Sequence, residues 1–277
     1  MSTELKELAA VMRGAHGLDV SLYDQDFLLR SALKRLEACG LSSLPDYAAA
    51  LRENRAEADN LYNSLNISYS EFFRDPLAFS LLEQALLPGL LRLAEDREIR
   101  VWSAGCAGGQ EAYSVAMLLA NLCAGRARPP KVRIFATDIS GRALASAAAG
   151  VYAADALRNV RLEYLERYFR AEGDAYALSD EIKAMVHFSR HDLLDERAAC
   201  PPPAIYGGFD LVLCGNLLIY YGPEARGRML AGLRTSLEPG GWLVTGEAER
   251  ELVAAFGGFS AVFTPAAIFK KTGSDGR

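Results

Sequence analysis

Between residues 99 and 248 the chain alternates two hydrophobic rhythms. Short apolar runs recur at IRVWSA (99–104), VRIFATD (132–138), MVHFSRHD (185–192), FDLVLCGN (209–216) and WLVTGEA (242–248), several ending in Gly, Asn or Asp. Helical spacing fills the gaps at Gln110–Cys123, Arg142–Ala149 and Pro223–Leu237. Strands that alternate with helices imply parallel crossovers and a doubly wound α/β sheet. The closing stretch FSAVFTPAAIFKK offers one more strand pattern with no helix behind it. It predicts an antiparallel hairpin with the preceding strand.

Residues 1–66 follow a helical pattern throughout and predict an all-α domain. Phe27, Leu28, Leu29, Leu33 and Leu36 repeat near the helical period, with Asp24 or Ser21 placed to cap the start and Gly40 to end it. A third helix is expected from near Ser43, with Pro45 in its first turn. Arg30, Lys34 and Arg35 fall at helical spacing and are expected to share one outward sector. The expected organisation is therefore a helical domain (1–66), a linker (67–98), an α/β domain (99–272) and a disordered tail (273–277). AGRARPP (124–130) and CPPPAIYGG (200–208) read as loops, and Glu-Pro-Gly-Gly (238–241) as a helix stop and turn.

Composition narrows the function classes. A formal charge of −5 provides no global basic field for nucleic acid or anionic membrane. No apolar run approaches the roughly 20 residues that span a bilayer, and the N-terminus lacks a signal-peptide pattern. The five scattered cysteines, without a CxxC pair, fit a reducing cytoplasm better than a zinc site or disulfide framework. The three histidines have no metal-ligand spacing, so metal catalysis is not expected.

The loop Ser103-Ala-Gly-Cys-Ala-Gly-Gly109 follows a strand and opens a helix. Glycines there let backbone approach a ligand and present helix N-terminal amides, although a tight turn without a ligand has the same pattern. Asp138, closing the next strand, stands where α/β nucleotide folds hold ribose hydroxyls. Gly105, Gly108 and Gly109 miss the dinucleotide G-x-G-x-x-G spacing, which disfavours a dehydrogenase and leaves a single adenosine-type ligand. Cys106, without a cationic neighbour in sequence, reads as a small buried filler rather than a nucleophile.

Five segments in order resemble the chemotaxis receptor methyltransferases (CheR-type): Ile67-Ser-Tyr-Ser-Glu-Phe-Phe-Arg-Asp-Pro76, VWSAGCAGGQEAYS (101–114), FATDIS (135–140), RHDLL (190–194) and NLLIYY (216–221). The FFRDP element ahead of a glycine loop is the most diagnostic. The resemblance implies a helical N-terminal domain, a seven-stranded Rossmann-like S-adenosylmethionine domain with an antiparallel C-terminal hairpin, and a small antiparallel insertion near 170–190. It implies S-adenosyl-L-methionine as cofactor, S-adenosyl-L-homocysteine as product, and contacts from Ser68, Ser70, Arg74, Glu111, Asp138, Asp192, Leu193, Gly215 and Asn216, besides Gly105 of the loop. The family commonly has Asn at position 68, Thr at 70, Asn at 192 and Arg at 215, so this chain departs from it at four contacts.

The activity implied is transfer of a methyl group to glutamate side chains of chemoreceptors in adaptation. A glutamate is already ionised near pH 7, so the reaction needs alignment and exclusion of water rather than a base. Arg74 is the candidate to orient a carboxylate, and Tyr220 matches the family's aromatic hydroxyl beside the methyl group. Arg30, Lys34 and Arg35 correspond to the helix that meets the acidic cytoplasmic helices of receptors, although a solvated face carries the same charges. The turn RAEGDAYALSD (170–180) is short, so a peptide tether to a receptor C-terminus is not expected. Two other readings stay open. One is a diverged S-adenosylmethionine-binding partner protein, kept alive by Gly215 and Asp192. The other is a small-molecule methyltransferase, which would leave the helical domain without a purpose.

Overall fold

The structure is a computed structural model, which describes residues 2–67, 69–94, 97–195, 200–201, 204 and 207–273. It divides into two compact units, one built from residues up to 67 together with 218–228, the other from 68–217 and 229 onwards.

The smaller unit contains α1 (Thr3–His16), α2 (Gln25–Ala38), α3 (Leu44–Glu53) and α4 (Arg55–Leu65). Each helix starts on a side chain that accepts an otherwise orphaned N–H: Ser2, Asp24, Ser43 and Asn54. Of the two caps considered for α2, Asp24 is the one used. Leu8, Met12, Leu28, Tyr47, Leu51 and Leu61 form the core of this unit. Residues 218–222 are tied into it, because Asp24 N–H donates to the Tyr220 carbonyl (2.9 Å) and Gly222 N–H to that of Leu22 (2.8 Å). The Tyr23 and Tyr221 rings stack at 4.9 Å.

The larger unit opens with α5 (Pro76–Leu81), a π turn (Leu82–Leu86) and α6 (Leu87–Leu93). Pro88 in the first turn of α6 has no N–H and crowds the preceding turn, which is where the wider π turn stands. Within the segment 67–98, expected as a linker, residues 76–93 are thus helical, and the segment buries Phe72, Phe79, Leu82, Leu87 and Leu91 in the main core. Next come β1 (Ile99–Ala104), α7 (Gln110–Cys123), β2 (Val132–Asp138), α8 (Gly141–Ala149), β3 (Val151–Ala153), α9 (Leu162–Tyr168), β4 (Phe169–Glu172), β5 (Ala175–Leu178), α10 (Asp180–Ala184) and β6 (Val186–Arg190). The chain closes with β7 (Phe209–Cys214), α11 (Pro223–Ser236), β8 (Leu237–Thr245), α12 (Arg250–Phe256), β9 (Phe259–Ala261) and β10 (Ile268–Lys271). No helix among the described residues is long and apolar enough to cross a membrane.

The seven-stranded sheet has the order β6-β2-β1-β7-β8-β10-β9, parallel through β8, with β10 antiparallel to both its neighbours. FSAVFTPAAIFKK therefore makes two strands, the second inserted beside β8. The insertion β3-β5-β4 spans residues 151–178, earlier than the expected 170–190, since 186–190 form the edge of the main sheet. Glu-Pro-Gly-Gly is no simple turn. It lies inside β8 as an irregularity, where the register slips between Phe209↔Leu237 and Leu211↔Trp242, with Gly240 in the left-handed region (φ 74°). Strand order reverses between β1 and β7, and the crevice at such a switch point is where open α/β sheets bind ligands. Pairings Ala104↔Thr137, Asp138↔Arg190, Ser103↔Leu213 and Cys214↔Thr245 bring the ends of five strands level there.

Candidate active site

The glycine loop turns back over the end of β2. Gly105 N–H and Cys106 N–H both donate to the Thr137 carbonyl (2.8 Å), and Ala107 N–H donates to Asp138 Oδ2 (2.9 Å). Gly105 has φ 75°, a left-handed conformation that calls for glycine, with the end of the Leu217 side chain packed close against it. Cys106 is buried, and burial pushes its thiol well above the ordinary range, so it is a filler and not a nucleophile.

Glu111, in the first turn of α7, is strongly perturbed. Its Oε1 accepts a hydrogen bond from Ser103 Oγ (2.7 Å). Burial pushes its carboxyl up to about 7 and nearby Glu249 adds to this, against the lowering effects of Ser103, the Gly215 N–H and Arg74. Gly215, where the resemblance leads one to expect arginine, is shaped by the same carboxylate. A Cβ at 215 would lie 2.7 Å from Glu111 Oε2. Losing the arginine thus accompanies a direct approach of Glu111 to the backbone of β7's end. The next residue, Asn216, stands in the left-handed region (φ 59°), and its N–H donates to Glu249 Oε2 (2.8 Å).

The FFRDP element divides its labour. Phe72 and Phe73 are buried; Phe73 stacks on Tyr164 at 5.8 Å and meets Phe79 edge-on. Phe73 sits at φ 49°, a conformation that costs a non-glycine residue about 1–2 kcal/mol, with its N–H bonded to Ser114 Oγ (3.0 Å). Asp75 caps α5 through Ala78 N–H, and Pro76 takes the first helical position. Between these anchors Arg74 is exposed, its guanidinium 5.6 Å from the Tyr69 ring centroid and, among the described residues, without an ion-pair partner. Glu71 ties this loop to the insertion through Arg158 and Asn159 (3.2 Å to Asn159). Arg74 and Asn216 line one groove of about 620 Å³ with Glu247, Arg250 and Glu251. Ser70 is half-buried on the same loop. Ser68 lies outside the described residues.

Asp138 uses one lone pair on each oxygen for backbone, Oδ2 for Ala107 and Oδ1 for Ser140 N–H (2.8 Å), which leaves further pairs for a diol. His191 N–H donates to the Asp138 carbonyl (3.2 Å), so Asp192 and half-buried Leu193 follow directly beside this strand end. Asp192 is exposed, with Oδ1 accepting from Leu194 N–H (2.9 Å). Asp138→Ala is expected to weaken S-adenosylhomocysteine at least about tenfold, on the scale of lost hydrogen bonds to a charged acceptor. Unchanged calorimetric affinity would remove Asp138 from the ribose.

The remaining candidates belong to the helical unit. Tyr220 is half-buried with its ring 4.8 Å from that of Phe27. Arg30 and Lys34 are exposed on α2. Arg35 does not share their sector. It forms a two-point ion pair with buried Glu57 (Nε–Oε1 2.9 Å, Nη2–Oε2 2.5 Å), to which Tyr47 Oη also donates (2.7 Å). Burial works against ionisation of Glu57, but the hydrogen bonds of Arg35, Tyr47 and Asn60 outweigh it and hold the carboxyl at about 2. Arg35 falls one residue beyond Lys34 and so turns about 100° around the helix, toward α4.

A switch-point glycine loop, a half-buried carboxylate behind it and an acidic residue at the next strand end suit an adenosine-type cofactor, and the match to a SAM-binding methyltransferase domain makes the class an S-adenosylmethionine-dependent methyltransferase. Residues 68–264 match the CheR methyltransferase SAM-binding domain and residues 3–65 the CheR methyltransferase all-alpha domain. The chain belongs to the CheR methyltransferase family. It is 34% identical over 238 residues to chemotaxis protein methyltransferase 1 of Pseudomonas aeruginosa, covering 82% of each chain. Against the chemotaxis protein methyltransferase of Vibrio parahaemolyticus, identity is 35% over 236 residues, 81% of each. An uncharacterized 104.1 kDa protein in the hypE 3′ region of Rhodobacter capsulatus is 35% identical over 229 residues. That match covers 81% of this chain but only 23% of the longer relative.

The residues present fit the cofactor. Glu111 is a half-buried carboxylate whose charge is disfavoured by its surroundings and which has no ion pair of its own among the described residues, as capture of an amino group requires. Asp138 has acceptor capacity to spare for ribose hydroxyls.

Proposed function

We propose that this chain methylates glutamate side chains in the cytoplasmic helical region of methyl-accepting chemoreceptors, as part of chemotaxis adaptation. The observation that carries the reading is the match of both family domains, cofactor-binding and all-alpha, in one chain. Neither nucleic acid nor membrane insertion enters the proposal, and the reaction is assigned to the cytoplasm.

S-adenosylmethionine supplies an activated methyl group; the chain's own residues have to hold, align and dehydrate. Glu111 is assigned to the amino group, Asp138 to the ribose, and Asn216, Gly215, Asp192, Leu193, Gly105, Ser70 and Ser68 to further contacts. Arg74 is assigned to a carboxylate, which a planar guanidinium orients at two points. Tyr220 is assigned to the acceptor. The acceptor is already an anion, so no proton has to move. Incubation with labelled S-adenosylmethionine and receptor-bearing membranes tests this. Base-labile label on the receptor is expected; tight cofactor binding without transfer would make the protein a binding partner only.

Docking is assigned to Arg30 and Lys34, with Leu33, 45% exposed, between them. Reversing both charges is expected to slow receptor methylation at low ionic strength, with cofactor affinity unchanged. Equal rates would return α2 to a plain solvated face. Arg35→Ala should act differently. Orphaning the buried Glu57 carboxylate is expected to destabilise the helical unit by roughly 3 kcal/mol, read as a fall in melting temperature. The β4–β5 connection is only Gly173-Asp174, which supports a member without a receptor-tail tether.

A further inference from the structure

We propose that Glu249 is a positioning residue for the cofactor site, holding Asn216 in its left-handed conformation and setting the electrostatics around Glu111. This rests on the assignment of Asn216 and Glu111 to the cofactor. β7 ends at Cys214, and the chain turns within two residues, with Asn216 at φ 59°. Asparagine tolerates that conformation without imposing it. What imposes it is a single oxygen, Glu249 Oε2, which accepts both Asn216 N–H and Gly246 N–H at 2.8 Å. It ties the loop after β7 to the loop after β8. The two loops have no slack, since a Cβ at Gly246 would lie 2.6 Å from Asn216 Nδ2 and 3.0 Å from its backbone nitrogen.

Glu249 is completely buried, and its carboxylate accepts both backbone N–H groups more strongly than a neutral oxygen would. Its charge also acts on Glu111, whose ionisation it disfavours. The groups facing Glu111 are the Ser103 hydroxyl, the Gly215 N–H, the Arg74 guanidinium and Glu249; the buried Cys214 thiol faces both carboxylates. A second negative charge behind Glu111 disfavours ionisation of the empty site and favours entry of a cation. The cofactor's amino group is such a cation. Clamp and counter-charge are thus one side chain acting on two cofactor residues.

The test is calorimetric titration of S-adenosylhomocysteine from about pH 5.5 to 8.5 with wild type, Glu249→Gln, Glu249→Ala and, as control, Glu111→Gln. Glu249→Gln keeps an acceptor oxygen but loses the charge. It should bind within about fivefold of wild type at high pH, and the pH below which affinity falls should move down by about one unit. Glu249→Ala loses the clamp and should bind at least about tenfold more weakly at every pH, with KM for S-adenosylmethionine raised more than kcat is lowered. An unmoved midpoint in Glu249→Gln, or wild-type affinity in Glu249→Ala, overturns the proposal. If Glu249→Ala does not fold, the Glu249→Gln midpoint alone decides. A Glu111→Gln variant with undiminished affinity would instead sink the cofactor assignment, and this inference with it.

Discussion

Glu111→Gln is expected to stabilise the empty protein and to weaken cofactor binding in the same step. A carboxyl held at about 7 instead of its ordinary 4.5 binds its proton more tightly folded than unfolded. Stability is therefore lost as pH rises from about 4.5 to 7, reaching about 3 kcal/mol above that window. Glutamine carries no charge to bury. The variant should melt roughly 2–6 °C higher than wild type at pH 8, with almost no difference at pH 4. S-adenosylhomocysteine affinity should fall about a hundredfold at pH 8, the scale of a lost charge-assisted hydrogen bond. Wild-type affinity should also decline as pH drops below 7, whereas the variant's should stay flat. A variant that melts no higher and binds equally well would make Glu111 an ordinary structural carboxylate.

Arg74→Ala carries the second large effect, and it should appear in kcat. The side chain is exposed, with its guanidinium 5.6 Å from the Tyr69 ring centroid, so its loss should cost little core packing. Phe73, Asp75 and Pro76 hold the loop without it. The variant should fold and melt normally while kcat drops about a hundredfold, the worth of orienting a carboxylate at two points. Some loss of cofactor affinity would follow if the guanidinium also serves the cofactor's carboxylate. Arg74→Lys should recover little, because an ammonium is a point charge without the planar fork. Tyr220→Phe is the milder companion, roughly 1–3 kcal/mol in the barrier with cofactor affinity intact. Wild-type kcat in both variants would leave acceptor positioning to other residues.

The central strands β1, β2 and β7 are legible in the sequence because both their faces are largely buried, which leaves short apolar runs between turn residues, while edge strand β6 shows a more mixed pattern. The start of α3 is legible at Ser43, where Pro45 marks the first turn, while at α2 the pattern offers Asp24 and Ser21 alike and only the structure shows that Asp24 caps it. The β8 irregularity is hidden because Glu-Pro-Gly-Gly reads equally as a turn, and only pairing with β7 shows that the strand runs through it. Residues 76–93 are mostly apolar, with Ser80, Glu83, Gln84 and Arg92 too few and too scattered to mark a polar face, so the pattern does not announce helices packed in the core. Among the candidate site residues, Glu111, Asp138, Arg74, Gly215 and Asn216 are brought together in one unit at one end of the sheet. Arg35 is misread because charge at helical spacing does not reveal a partner 22 positions away. Glu249 escapes notice for a similar reason: one glutamate among Glu247, Glu249 and Glu251 is buried, and spacing alone does not say which.

Base-free transfer to an ionised carboxylate is the central claim, and the pH dependence of kcat tests it most directly. His191 is the histidine nearest the strand ends, buried with its ring edge-on to Trp102, and burial lowers its pKa. With receptor and cofactor both saturating, kcat should be flat from about pH 6 to 8, while kcat/KM for the cofactor rises through about 7 with Glu111. A histidine-like rise in kcat across that window, abolished by His191→Gln, would contradict the account.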